Sequence, residues 1–315
     1  MRLPKTLVNL NQISAILFVP LCLVTLSSLA QTPQYTFQFG QFHESINFEN
    51  PGYSEPNSRF SAVATNFNYT GVFNEIRAYL IQSQFRLHRS RLNHQIDGGF
   101  NFLNEQEGPP INRGRYHGHI TYILPINPEL SVGAGVALGW ASYNIRGASV
   151  AARGNDQQID GNIGLWLRTS NLQLGAAIDQ LFEQQLNPIH ESFKLRRYPI
   201  VHGAYKNQMT PNLMLRTFGR LRYLKKDLHN LDLSANTLYK DILVTGLGYR
   251  SIKALFFYVG MESVALGKWL LQMNVGYQYT LVKSTTTRAN AFEILIKINL
   301  PNPSLPLLEE VPSQE

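Results

Sequence analysis

Residues 271–279 read Leu-Gln-Met-Asn-Val-Gly-Tyr-Gln-Tyr, so Leu271, Met273, Val275, Tyr277 and Tyr279 alternate with Gln272, Asn274, Gly276 and Gln278. Successive side chains on a β-strand point to opposite faces, and a period of two therefore makes one apolar and one polar face. The next segment repeats the pattern, with Phe292, Ile294, Ile296, Ile298 and Leu300 set against Glu293, Lys297 and Asn299, interrupted only by Leu295. Further back, Leu130, Val132, Ala134, Val136, Leu138 and Trp140 alternate with Ser131, Gly133, Gly135, Ala137 and Gly139. The second face of that strand is nearly all small, which leaves room in the interior it lines.

Working outward, the same alternation recurs in segments beginning near Ser58, Arg77, His94, Tyr116, Leu130, Ile159, Leu172, Tyr198, Asn212, Leu231, Ile242, Leu255, Leu270 and Asn290. Each occupies about 17 residues, a strand of about 10 plus its connection. Pro128-Glu129, Arg153-Gly154-Asn155 and Thr169-Ser170-Asn171 supply turn chemistry between several of them. A soluble sandwich also alternates, but its polar face meets bulk water and is rich in Lys and Glu. Here that face is mostly Gln, Asn, Ser and Gly, and Trp140, Tyr143, Tyr223, Tyr249, Trp269 and Tyr279 fall near segment ends, as an interfacial belt requires. The expected fold is all-β, a transmembrane antiparallel β-barrel of about 14 strands. Closure removes the exposed edges that so many strands would otherwise have to protect.

Composition agrees. Only 16% of the residues are charged, against about 25% in ordinary soluble domains, which excludes disorder and coiled coil. Beyond residue 30 no run approaches the roughly 18 apolar residues of a membrane helix. The formal charge of +7 is modest, and no nucleic-acid partner is expected. Arg2 and Lys5, the apolar stretch from Ile13 to Leu26 and Ser28-Leu29-Ala30 mark residues 1–30 as a signal peptide. The one cysteine, Cys22, falls inside it, so the processed chain is expected to hold no disulfide and no thiolate metal site. The remaining organisation reads as a periplasmic or plug segment over residues 31–57, the barrel over 58–300, and a tail over 301–315 with four prolines and Glu309, Glu310 and Glu315.

Candidate chemistry is sparse. His117 and His119 point to one face of a strand, the geometry of two metal ligands, but no third ligand is placed beside them and lumen polarity is the stronger reading. Arg216, Arg220 and Arg222 share one face while Leu213, Leu215 and Leu221 occupy the other, so the arginines are expected to line the lumen and pair with acids such as Asp232 or Glu293. Arg86, His88, Arg89 and Arg91 read as a solvated turn between two strands. No Gly-x-Ser-x-Gly elbow, phosphate loop or metalloprotease helix occurs. Catalytic residues, metal and cofactor are accordingly all assigned as none.

Asn50-Pro51-Gly52-Tyr53 resembles the Asn-Pro-Ala-Tyr element near the mature N-terminus of the PorP/SprF family, outer-membrane proteins of Bacteroidetes that secrete by the type IX route. Further pieces agree in order: Gly98-Gly99, the Leu130 to Leu138 strand, Gly161 to Leu165 followed by Leu174-Gly175-Ala176, Pro211-Asn212-Leu213-Met214, Leu231-Asp232-Leu233, Gly246-Leu247-Gly248-Tyr249-Arg250, and Gly276-Tyr277-Gln278-Tyr279. Gly52 stands where the family has Ala, Thr280 where an acid is expected, and Phe67-Asn68-Tyr69 where the family has a Tyr-Arg-x-Gln-Trp element. The resemblance implies a non-enzymatic barrel in the outer membrane of a Bacteroidetes-type bacterium. It would serve type IX secretion or gliding, by docking to the periplasmic machinery or by anchoring an exported surface adhesin. It makes Asn50, Pro51, Gly52, Tyr53, Gly248, Tyr249 and Arg250 the family-motif or partner-contact candidates, with outer-membrane lipid, type IX components and a secreted adhesin as partners. A passive porin-like channel for small solutes is the alternative, and a soluble adhesive β-protein a third reading.

Overall fold

A computed structural model describes residues 39–90, 94–147, 153–188, 193–225, 228–251, 253–281 and 289–302; the signal-peptide assignment and most of the tail lie outside the described residues. The strands are β1 (Ser58–Tyr69), β2 (Arg77–Arg89), β3 (Gln95–Glu107), β4 (Ile111–Asn127), β5 (Leu130–Arg146), β6 (Arg153–Arg168), β7 (Leu172–Asp179), β8 (Gln185–Leu186), β9 (Phe193–Lys194), β10 (Tyr198–Thr210), β11 (Leu213–Lys225), β12 (Leu228–Tyr239), β13 (Leu243–Arg250), β14 (Ala254–Leu266), β15 (Trp269–Thr280) and β16 (Ala291–Pro301). Fourteen of them form one closed antiparallel barrel; β8 and β9 pair separately in the connection from β7 to β10. Each barrel strand pairs with the next, and β16 returns to β1 in a ladder from Ser58↔Pro301 to Tyr69↔Ala291.

The expected segments and the barrel strands correspond one to one. β4 begins at Ile111 rather than near Tyr116, and β6 at Arg153 rather than near Ile159. Those extensions are polar, so they escape an alternation count, yet the ladder continues through them, with Ile111↔Ile145 and Arg146↔Arg153 still paired. Backbone pairing needs no apolar face once a strand has risen above the lipid. Arg86, His88 and Arg89 are a correction of the same kind. They lie on β2 rather than in a turn, and Arg86 Nε reaches Asp97 Oδ1 at 3.5 Å; Arg91 is outside the described residues.

The two faces are inverted relative to a soluble protein. Asn101, His117, Asp160, Asn162, Arg220 and Asp232 are buried, while Phe100, Leu138, Trp140, Ile159, Leu165 and Val275 are exposed. Such a surface is stable only where hydrocarbon replaces water on the outside. The ends differ as well. At the end carrying Ser58 and Pro301 the strands are joined by tight turns such as Pro128-Glu129, Pro211-Asn212 and Gly267-Lys268. At the other end, residues 180–197 and 281–290 make the longest connections. Short turns face the periplasm and longer loops the exterior in such barrels, so the two are called the turn end and the loop end.

Candidate functional site

Residues 39–57, which precede β1, fill the lumen. Phe42–Glu44 form a 3-10 turn and Ile46–Glu49 a single helical turn, and every residue from 39 to 52 is buried except Glu44, which is half-buried. Helical pieces this short do not persist alone in water; the barrel wall holds them. Asn50 organises the turn that follows, its N–H donating to Ile46 O (2.8 Å) and its Oδ1 accepting from Gly52 N (3.0 Å). Side-chain capture of the backbone two residues on is the usual reason for Asn in such a turn.

Asn50-Pro51-Gly52-Tyr53 docks on β4, β5, β6 and β7. Asn50 Nδ2 donates to Leu165 O (3.0 Å) and Ala176 O (3.3 Å), carbonyls of two residues paired across β6 and β7. Thr121 Oγ1 donates to Pro51 O at 2.6 Å. The bare face of β5 is what admits this backbone. A Cβ on Gly135 would sit 2.0 Å from Pro51 O, one on Gly133 2.2 Å from Gly52 O, and one on Gly164 of β6 2.0 Å from Asn50 Oδ1. No side chain fits at such separations. Tyr53 stands edge-on to Trp166 with centroids 5.0 Å apart, and the Arg168 guanidinium lies 5.4 Å from the Tyr53 ring.

The opposite wall receives the plug by charge. Glu49 Oε1 accepts from Arg220 Nη1 at 3.0 Å and from Arg222 Nη2. Arg220 Nε donates to Asp232 Oδ2 at 3.0 Å, Arg250 Nε stands 3.5 Å from Asp232 Oδ1, and Arg250 Nη1 donates to Gln278 Oε1 at 2.6 Å. Arg220 also covers the Phe42 ring, 4.6 Å from its centroid. Glu49 belongs to the plug rather than to a spanning strand. Burial works against its charge, but Arg220 and Arg222 outweigh that and hold its carboxyl down at about 2.

The structure thus places Arg220, Arg222 and Asp232 together in one network. Arg216 stands apart, donating to Glu262 (2.9 and 2.6 Å) and to Asn236 Oδ1 (2.7 Å). Glu293 takes backbone N–H groups of the plug, Gly40 at 2.6 Å and Gln41 at 3.0 Å. Of the second family motif, Arg250 joins the Asp232 network, Gly248 faces inward beside it on the strand face that Arg250 shares, and Tyr249 turns outward. The two motif pieces therefore occupy different walls, connected through Glu49, Arg220 and Asp232.

Two further groups were not foreseen as networks in the sequence, although His117 was read there as a lumen residue. Arg115 Nε donates to Asp160 Oδ2 (2.6 Å) and Arg115 Nη2 to Asp179 Oδ1 (2.6 Å), Tyr198 OH donates to Asp179 Oδ2 (2.6 Å), and His117 Nε2 lies 3.0 Å from Asp160 Oδ2. This cluster supports Phe48, whose ring lies 5.2 Å from the Arg115 guanidinium. Lys297 Nζ bridges Glu44 and Glu55 of the plug, at 3.0 Å each. The available signal was Arg115 in register with His117, and Asp160 with Asn162, each two residues apart on an inward face. Among the described residues no group of three or more His, Cys, Asp or Glu is placed to hold a metal. Between the plug and β1–β2 there remains a cavity of about 20 Å³ lined by Glu44, Asn47, Tyr53 and Gln82, enough for a water molecule.

Residues 31–298 match the family described as type IX secretion system membrane protein PorP/SprF. Among solved structures, the toluene transporter TbuX of Ralstonia pickettii is similar at a TM-score of 0.52 and 12% identity, covering 82% of this chain and 94% of that one. The toluene transporter TodX of Pseudomonas putida gives a TM-score of 0.48 at 10% identity, covering 84% and 94%. At such identity the TbuX likeness speaks for the barrel fold alone. No match was found among curated proteins.

Proposed function

Because the chain belongs to the PorP/SprF family of type IX secretion membrane proteins and is an outer-membrane barrel, we propose that it acts without catalysis, as a docking platform. In this reading it supports type IX secretion or gliding by docking to the periplasmic machinery or by anchoring an exported surface protein. The observation that carries the reading is the filled lumen. Residues 39–57 touch both the glycine wall and the arginine wall, so the strands around them are fixed before any partner arrives. A preorganised surface loses little conformational entropy on binding, which is what an anchor requires. The polar lumen favours the passive channel as well, but a plug held by buried ion pairs opposes it.

The test is affinity purification of the tagged protein from detergent-solubilised outer membranes, with co-purifying proteins identified by mass spectrometry. Type IX components or a large exported adhesin are expected. Recovery of the barrel alone, under extraction that preserves other outer-membrane complexes, would overturn the docking reading. Planar-bilayer conductance separates the channel, since the plugged barrel is expected to be nearly silent.

A further inference from the structure

The loop ends of β1–β6 carry an outward polar face that β13–β16 lack. Asn68, Arg77, Gln106, Asn112, Asn144 and Asn155 lie in direct cross-strand register, one from each of these six strands. Their chain neighbours Phe67, Ala78, Glu105 and Tyr143 are buried, so the row itself points away from the lumen. Two residues nearer the turn end, Asn66, Tyr79, Asn104, Gly114, Ser142 and Gln157 form a second row in the same register. Beneath it, Phe102, Tyr116, Trp140 and Ile159 make the aromatic and apolar edge of the belt. Neither polar row holds a carboxylate, and Arg146 and Arg153, which face each other across the tops of β5 and β6, are exposed. At about 4.8 Å per strand the face is roughly 24 Å wide.

The side chains of this face are already ordered. Asn104 Nδ2 donates to Asn112 Oδ1 (3.0 Å), Asn112 Nδ2 donates to Asn104 Oδ1 (3.1 Å), and Arg77 Nε donates to Gln106 Oε1 (2.8 Å). An amide has two N–H donors and two acceptor lone pairs, so these pairs leave hydrogen-bonding capacity turned outward. The other wall shows that closing the barrel does not require such a face. There Tyr249, Leu255 and Tyr279 share a register row at the loop ends of β13, β14 and β15, and Phe292, the second residue of β16, is exposed. Those strands stop where the apolar belt stops.

We propose that this face binds the headgroup of a phosphorylated glycolipid of the outer leaflet. The loop end faces the cell exterior, so outward side chains just above the belt meet the headgroups of that leaflet. Saccharide hydroxyls both donate and accept hydrogen bonds, and amides answer them in kind, while the guanidinium groups of Arg77, Arg146 and Arg153 supply the charge that phosphate needs. A phospholipid would use the arginines and leave the amides idle. A polypeptide partner would seek buried apolar anchors, and of these the two rows offer only Tyr79. Amides already held by one another lose little freedom when the sugar arrives. The glycolipid site is independent of the docking reading.

The experiment counts lipid retained by the full barrel in detergent. Delipidated protein is incubated with deep-rough lipopolysaccharide, whose headgroup is a phosphorylated saccharide, or with phosphatidylglycerol, which offers phosphate without a saccharide, and bound lipid is read by native mass spectrometry. Asn112→Leu with Asn144→Leu removes amides from the face, Arg77→Ala with Arg146→Ala and Arg153→Ala removes its charge, and Leu247→Ala changes the opposite outward wall. Heat-modifiable mobility on gels confirms that each variant is folded. The unaltered protein and Leu247→Ala are expected to retain lipopolysaccharide in preference to phosphatidylglycerol, and the amide and arginine variants to retain about tenfold less of it. Equal retention of the two lipids overturns saccharide recognition. Absence of lipopolysaccharide from the unaltered protein, or undiminished retention by either the amide or the arginine variant, overturns the site. A polypeptide that co-purifies from membranes and is lost with the amide variant, while lipopolysaccharide stays bound, overturns it in favour of a protein dock. Failure of the docking reading leaves the lipid counts as they were.

Discussion

The glycine wall and the arginine wall hold the same 19-residue stretch, residues 39–57, by opposite physics. On β5 and β6 the plug backbone lies where a single methyl group would collide; Thr121 of β4 donates to the Pro51 carbonyl, and Asn50 of the plug donates to the Leu165 carbonyl of β6. On β11 and β12 the contact is a relay of buried charges, Glu49 to Arg220 to Asp232. A steric cradle fixes position but tolerates no added volume; a buried ion network tolerates small shifts but fails when one charge is removed. One wall positions the plug and the other binds it.

That contrast is open to direct tests. Arg220→Ala leaves Glu49 and Asp232 buried with a partner removed, and is expected to destabilise by about 3–5 kcal/mol, read from urea unfolding in detergent. Next comes Gly135→Val, whose Cβ must displace the Pro51 carbonyl. A loss of about 1–3 kcal/mol is expected, together with a rise in planar-bilayer conductance as the cradle lets go. Should Gly135→Val match an outward control such as Val136→Ala in both readouts, the cradle is not what positions the plug. Asn50→Ala removes two hydrogen bonds to strand carbonyls and should cost about 1–2 kcal/mol in the same unfolding assay.

The smallest effect near neutrality is that of pH. The Glu49 carboxyl is held at about 2 against its usual 4.5, so its contribution is complete above about 4.5 and is lost as pH falls from there toward 2. Proteolysis of the plug should therefore be flat between pH 7 and 5 and increase only in stronger acid, with the arginine wall releasing before the glycine wall. An increase already at pH 6 would mean that another group controls the plug.

The barrel was legible because membrane strands must alternate, and lipid tolerates few exceptions; β15 and β16 could be read residue by residue. The polar extensions of β4 and β6 at the loop end, and Arg86 near the turn end of β2, were missed because ladder pairing on either side of the belt leaves no apolar signature. The candidate site was legible in halves. The inward glycines of β5 announced empty space, and the three arginines of β11 announced a charged face, but their occupants are joined only in space. Glu49 lies 171 positions before Arg220, and no spacing rule links them. Lys297 was read simply as a polar-face residue, since its partners Glu44 and Glu55 lie at the far end of the chain.

The pairing of β1 with β16 is the one seam in the barrel made by the two ends of the chain rather than by a covalent turn. The plug is peptide-bonded to β1, while Glu293 and Lys297 of β16 grip it at Gly40, Gln41, Glu44 and Glu55. It therefore works as a stitch. Prising β16 sideways from β1 must tear not only the backbone ladder but also these internal ties, and the place where a barrel would most easily gape is the place this one has sewn shut.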